Sequence, residues 1–354
     1  MNVKHGLEGV VAAETRLSMV DGERGELVIG GFRVEELAAW RFEDVVELLW
    51  GFDVGRASAR LPGRGGLKPT LRLMDALRAG VAALSADDDR EAASLLLWSC
   101  PAIVAAHWRR SRGLEAIEPR EDLGFAANYL YMLNGVEANV EANKELVRGL
   151  ETYLNTVVDH GLNASTFTAR VIASTGSDFV SAITGAIGAL KGPLHGGAPG
   201  PALDMVFEIG DASRAEEVLR RKIESGERLM GFGHRVYKVR DPRADVLAAA
   251  AERMFTRAGD MHLYDLAGAV ERTALRLLEE YKPGRKLQTN VEFYTALLLH
   301  GIGLDSELFT PTFAISRVAG WIAHCFEQRA VGRLIRPESV YIGPQPADLQ
   351  PVSG

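Results

Sequence analysis

Apolar residues spaced three and four apart recur along most of this chain, whereas the two-residue alternation of a half-buried strand is nearly absent outside the N-terminus. A chain patterned this way buries helical stripes against one another, so the expected class is all-α, with helices packed in layers. The exception is "LSMVDGERGELVIGGF", where Asp21-Gly22 and Gly30-Gly31 are turn formers and predict a short hairpin or two extended pieces. Next, "RVEELAAWRFEDVVELLW" places Val34, Leu37, Ala38, Val45, Leu48 and Leu49 at helical spacing, and residues 51–69, with Pro62, Gly63, Gly65, Gly66 and Pro69, read as a loop. Helical periodicity returns in "TLRLMDALRAGVAAL", "REAASLLLWSCPAIVAAHWRR", "ELVRGLETYLNTVVDHGLNASTFTARVIAST" and "DFVSAITGAIGAL". It continues after residue 200 through "FTPTFAISRVAGWIAHCFEQRAVG". Pro283-Gly284 and the Gly-Pro cluster at 192–201 are the candidate hinges.

At 354 residues the chain can build one large domain and a smaller one. Its net charge of −7 gives no general attraction to nucleic acid or to an anionic membrane, so an anionic ligand must be met by locally clustered arginines. Two cysteines, Cys100 and Cys325, exclude a disulfide framework and a cysteine-based zinc site and fit a reducing compartment. The N-terminus carries glutamates where a signal peptide needs an apolar run, and no apolar stretch reaches the roughly 20 residues of a membrane span. A cytoplasmic location is expected.

The question of chemistry starts at "LKGPLHGGAPG", residues 190–200, which surrounds His195 with glycines and prolines. Such a backbone turns tightly and approaches another molecule closely, although an incidental surface histidine would fit the same stretch. His160 in "DHGLNAS" and His234 in "MGFGHRVY" also stand beside backbone-permissive residues, whereas His5, His107 and His262 read as ordinary surface. A histidine at an element end can offer one ring nitrogen to a ligand while the backbone fixes the other. No H-x3-H or C-x2-C pair is present to suggest zinc, although a metal triad from scattered histidines stays open. G-x-S-x-G, G-x-G-x-x-G and P-loop patterns are likewise absent.

Arg243, Arg317 and Arg336 are candidate anion forks or simple salt-bridge residues. Arg317 falls within an otherwise apolar helix and needs an acidic partner. Glu292 in "TNVEFYTALLL" opens an apolar helix; it could be a base with a raised pKa or a compensating charge at the helix N-terminus.

"GPLHGGA", "GFGHRVYKVRDPRA", "DHGLNASTFTARVIAST" and "SRVAGW…RLIRP" together resemble the citrate synthases, particularly the shorter bacterial type, and the match runs from "GLEGVVAAET" to "YIGP". The resemblance implies an all-α homodimer. Its large domain would comprise residues 1–196 and 301–354, and a small domain, 197–300, would close over the substrates. It implies condensation of acetyl-CoA with oxaloacetate followed by hydrolysis of the thioester. Propionyl-CoA (2-methylcitrate synthesis) or a catalytically weakened binding protein are the alternatives. By the same resemblance Glu292 is the base, His195 the donor to the enolate oxygen and His234 the donor to the oxaloacetate carbonyl. His160, Arg243 and Arg317 would hold the oxaloacetate carboxylates, Arg336 would reach the neighbouring subunit's site, and Lys238 would meet CoA phosphate. No metal or cofactor is implied, acetyl-CoA being a co-substrate.

Two motifs depart from the family's pattern. The family usually has "PNVDFYS", so Glu292 replaces aspartate and Thr289 replaces proline, and Gly161 replaces the acidic residue of "DHELNAS". The extra methylene moves the carboxylate by up to ~1.5 Å. A displacement of about 1 Å can cost on the order of 100-fold in rate.

Overall fold

A computed structural model of the chain describes residues 4–55, 59, 67–135, 144–196 and 200–344. Of the expected loop at 51–69, residues 56–58 and 60–66, including Pro62, Gly63, Gly65 and Gly66, lie outside the described residues, as does the boundary at 197.

Among the described residues there are fourteen α-helices and one small sheet. The sheet has three antiparallel strands, β1 (Ser18–Asp21), β2 (Glu26–Ile29) and β3 (Phe32–Arg33), one more than a simple hairpin. The expected single helix over 33–50 is two, α1 (Val34–Leu37) and α2 (Phe42–Trp50). The break has a tertiary cause. From α6 (Lys144–Val157), Asn155 Nδ2 donates to the carbonyls of Leu37 and Trp40, and Thr152 Oγ1 donates to that of Ala38. Carbonyls captured by a neighbour satisfy the end of one helix, and the chain restarts as the next.

The helices that follow are α3 (Leu73–Ala82), α4 (Asp89–Ser111), α5 (Phe125–Asn134), α7 (Ala164–Ser174) and α8 (Phe179–Leu190). The periodicity did not reveal α5, because eight of its ten residues are buried and it carries little polar face. The run 145–175, expected to be helical throughout, is interrupted between α6 and α7 at Val158–Asn163, and His160 sits in that interruption. His107 is a correction to the surface reading: it lies in the core of α4 with Nε2 2.8 Å from the Leu71 carbonyl oxygen.

The second group is α9 (Gly200–Ile209), α10 (Ala215–Glu224), α11 (Pro242–Ala258), α12 (His262–Tyr281) and α13 (Val291–Gly301). Within it α11 packs on α13, α10 on α12 and α9 on α13; α11 also leans against α6 and α1. The last helix, α14 (Phe309–Val331), threads the first group and touches α2, α4, α6, α7 and α8. It is buried on every side for most of its length, as expected of a helix at the centre of a bundle. At Gly320 it approaches other backbone directly. A Cβ there would lie 2.2 Å from the Val158 carbonyl oxygen, so glycine is required for α14 to seat against the segment that carries His160. Among the described residues no helix is long and apolar enough to cross a membrane.

Candidate active site

His195 follows α8 in a tight turn, its backbone N–H bonded to the Gly192 carbonyl. The next residue must be glycine, because a Cβ at 196 would lie 2.2 Å from the Leu190 carbonyl oxygen. The chain thus folds back over the end of α8 and aims the imidazole at the first turn of α7. There Nε2 accepts the Ser165 backbone N–H at 3.2 Å and lies 2.8 Å from Ser165 Oγ. Ser165 Oγ in turn receives the Trp321 indole N–H at 3.1 Å. An Nε2 that accepts leaves the proton of the neutral ring on Nδ1.

His234 is held by a different device. Asn290 caps α13 by accepting the Glu292 N–H, while its own Nδ2 donates to the Gly233 carbonyl and its backbone N–H to that of Gly231. The Gly233 N–H bonds back to the Gln288 carbonyl. One asparagine therefore ties the histidine turn to the helix that starts with Glu292. Nδ1 of His234 accepts the N–H groups of Val236 and Tyr237, both at 3.1 Å, so its neutral ring carries the proton on Nε2. His160 packs edge-on to His234, with ring centroids 5.6 Å apart, and its Nε2 is 3.2 Å from the Tyr237 hydroxyl.

Two guanidinium groups lie at the centre. Arg243, at the start of α11, is buried and donates from Nε and Nη2 to the two oxygens of Asp241 at 3.0 and 2.8 Å. Arg317 projects from α14, its Nε on the Val157 carbonyl at 2.7 Å and its guanidinium 4.6 Å from the Phe313 ring centre. The acidic partner expected for Arg317 is Asp159, but only at a distance. Burial pushes Arg317 down to about 10, Asp159 opposes this, and Arg243 adds to it. The Asp159 carboxylate itself is taken up by His324 Nε2 (3.2 Å) and the Ser18 hydroxyl (2.5 Å).

Burial, more than these cations, shifts the protonation of the groups around them. Burial, with Arg243 and Arg317, holds His160 well below its ordinary range. Burial and Arg243 push His234 down to about 4, and burial with Arg317 lowers His195. All three shifts favour the neutral imidazole, a form that can donate through one ring N–H. Burial pushes the Glu292 carboxyl up to about 7, against the pull of Arg228 and Arg243. The site thus combines a poised carboxylate, directed neutral donors and a pair of buried cations, which suits proton abstraction beside a carbonyl on an anionic substrate.

Two expected residues lie on the surface. Lys238 is exposed on the loop after His234, its Nζ donating to the Arg235 carbonyl and its charge adding to the lowering of His234. Arg336 is exposed beyond the end of α14 and makes no ion pair among the described residues. Among those residues no group of three or more His, Cys, Asp or Glu side chains could hold a metal ion.

Sequence reasoning missed Ser165, Tyr237, Trp321 and a buried network around His324. His324 Nδ1 is 3.0 Å from Arg170 Nη1, and Arg170 also donates to Glu327 (2.9 Å) and Gln328 (3.1 Å). A signal was available: Arg317, Trp321, His324 and Gln328 fall at i, i+4, i+7 and i+11, a polar stripe inside an apolar helix.

The family model "Citrate synthase, C-terminal domain" matches residues 6–338. The chain belongs to the citrate synthase family. A citrate synthase of Haloferax volcanii is 41% identical, over 99% of this chain and 98% of its own length. A 2-methylcitrate synthase of Mycobacterium tuberculosis is 37% identical, over 97% and 91%. Among solved structures, the citrate synthase of Pyrobaculum aerophilum superposes with a TM-score of 0.87 at 38% identity, covering 99% of this chain and 94% of that one. The citrate synthase of Thermoplasma acidophilum, in a ternary complex with carboxymethyl coenzyme A and oxaloacetate, does so with a TM-score of 0.87 at 30% identity, covering 99% of each chain.

Proposed function

We propose that this citrate synthase family member condenses acetyl-CoA with oxaloacetate and hydrolyses the resulting citryl thioester to citrate and CoA. The observation that supports the reading is geometric: His160 packs 5.6 Å from His234, on the turn that Asn290 ties to the start of the helix carrying Glu292, and the buried Arg243 and Arg317 help to lower the imidazoles near them. Two buried cations suit a small dianion, and His160 adds a neutral donor beside them.

In this reading the Glu292 carboxylate takes a proton from the methyl carbon of the thioester. The electron pair moves onto the thioester oxygen, which accepts Nδ1–H of His195. The new carbanion centre then attacks the ketone carbon of oxaloacetate. The alkoxide oxygen formed there accepts Nε2–H of His234, and water finally cleaves the thioester to release the CoA thiol. A neutral imidazole is a suitable donor because its N–H is close in acidity to the enol it stabilises. Lys238 would meet a CoA phosphate, Arg336 would enter the site of a second subunit, and residues 197–300 would close as a lobe over the bound ketoacid. The reading requires no metal or cofactor.

A second reading, propionyl-CoA as the acyl donor, is favoured by the 2-methylcitrate synthase relative and by Glu292, whose length differs from the usual aspartate. One methylene of substrate is worth only ~1–3 kcal/mol of discrimination. The test is thiol release with oxaloacetate and each acyl-CoA side by side. A larger kcat/KM with acetyl-CoA supports the first reading and a larger value with propionyl-CoA the second. No turnover with either, alongside retained oxaloacetate binding, would leave a binding protein.

A further inference from the structure

On α12, between the site motifs along the sequence, Glu271 is buried and accepts three hydrogen bonds. Its Oε1 receives the Thr289 hydroxyl at 2.5 Å and also Arg240 Nη1, and its Oε2 receives the Tyr294 hydroxyl at 2.6 Å. All three donors flank reacting groups without joining them. Thr289 immediately precedes the helix cap Asn290, Tyr294 is the fourth residue of α13, and Glu292 lies between them on the first turn. Arg240 belongs to the loop between His234 and Arg243, and the Asp241 N–H bonds to the Thr289 carbonyl at 3.2 Å.

In many helices an apolar contact between the residue before the cap and the fourth helical residue fixes the angle at which the chain enters. Here one carboxylate bonds to both positions, which makes it a polar form of that staple. Because the entry angle determines where the first turn points, the staple also determines where the Glu292 carboxylate lies. The arrangement needs a side-chain donor at 289, and threonine supplies one where proline could not.

We propose that Glu271 is a positioning residue for Glu292, acting through Thr289 and Tyr294. The proposal rests on Glu292 being that base. A carboxylate is suited to the task because all of its acceptor sites can face donors. Glutamine would turn an NH2 group towards at least one of them.

The experiment compares Thr289→Val, Thr289→Ser and Glu271→Gln in the full chain, measuring kcat for thiol release, oxaloacetate Kd by calorimetry and melting temperature. Valine keeps the shape of threonine and removes only the donor; serine keeps the donor. The expected result is a fall in kcat of about 10- to 100-fold for Thr289→Val and Glu271→Gln. Oxaloacetate Kd should stay within about 2-fold, and Thr289→Ser should stay near wild type. Wild-type kcat in Thr289→Val would overturn the proposal, and so would a parallel loss of kcat, oxaloacetate affinity and melting temperature. Glu292→Gln separates this proposal from the reading beneath it. If that variant keeps turnover, the base assignment fails. If it is inactive while Thr289→Val is not, only the positioning role fails.

Discussion

Ser165 and His195, thirty positions apart, meet at 3.2 Å through a backbone N–H that donates to Nε2, and this one contact decides which ring nitrogen of His195 carries the proton. The donor face that results, Nδ1–H, is the one free to meet a thioester oxygen. Replacing His195 with alanine should therefore lower kcat by about 100- to 1000-fold, the usual effect of losing one donor to a developing oxyanion. Oxaloacetate affinity measured by calorimetry should barely change, because in the proposed function His195 meets the acyl-CoA thioester and not oxaloacetate. A comparable loss in both quantities would move His195 to the oxaloacetate side of the site.

Arg317 should show the opposite split. Arg317→Leu removes one of the two buried guanidinium groups of the candidate site, and the expected effect is a rise of about 100-fold or more in the Kd for oxaloacetate. Its guanidinium is pushed down to about 10 on folding, chiefly by burial, so the cation costs stability at neutral pH. The melting temperature of Arg317→Leu should accordingly stay level or rise. A steep fall would mean that the bond from Nε to Val157 is structural before it is functional.

The Glu292 carboxyl is pushed up to about 7 by burial, from an unfolded value of 4.5. Only its ionised form can take a proton, so kcat/KM should rise with pH through a midpoint near 7. His234, at about 4, stays neutral across that window and cannot supply the limb. The folded state binds the Glu292 proton more tightly than the unfolded chain does, so this group lowers stability as pH rises from about 4.5 to about 7. Glu292→Gln should then be inactive, and its gain in melting temperature over wild type should be larger at pH 8 than at pH 5. An equal shift at both pH values would contradict the raised pKa.

Arg336 can be tested by mixing. If its side chain serves a second subunit, dimers assembled from Arg336→Ala and His195→Ala chains carry one intact site each. Co-refolding the two inactive variants should restore roughly a quarter of wild-type turnover, given random pairing. No recovery would assign Arg336 to its own subunit or to no site.

Glu292→Asp addresses the departure at that position directly. It should change kcat much more than oxaloacetate affinity, since the length of the base alters only the distance to the methyl proton. Equal effects on both, or none, would count against Glu292 as the base.

How much of this was legible beforehand varies from element to element. The amphipathic helices α3, α10 and α12 follow from their spacing, whereas α5 does not, because a segment buried nearly all round has no period to read. His160, His195 and His234 stood out through their glycine-rich or turn-forming neighbours, which are local. Ser165, Tyr237 and Asp159 had no such mark. A serine at a helix start and a tyrosine in a loop look the same whether or not an imidazole lies opposite.

The sequence by itself determined that the chain is helical, that its candidate anion-binding groups are arginines scattered along its length, and to which family it belongs, because spacing and residue type are local properties. The tertiary structure alone decided the break between α1 and α2, the tautomers of His195 and His234, and the raised carboxyl of Glu292. Each of these depends on a partner far away in the chain or on exclusion of water, and neither the free energy of burial nor a long-range hydrogen bond is written in any short stretch of residues.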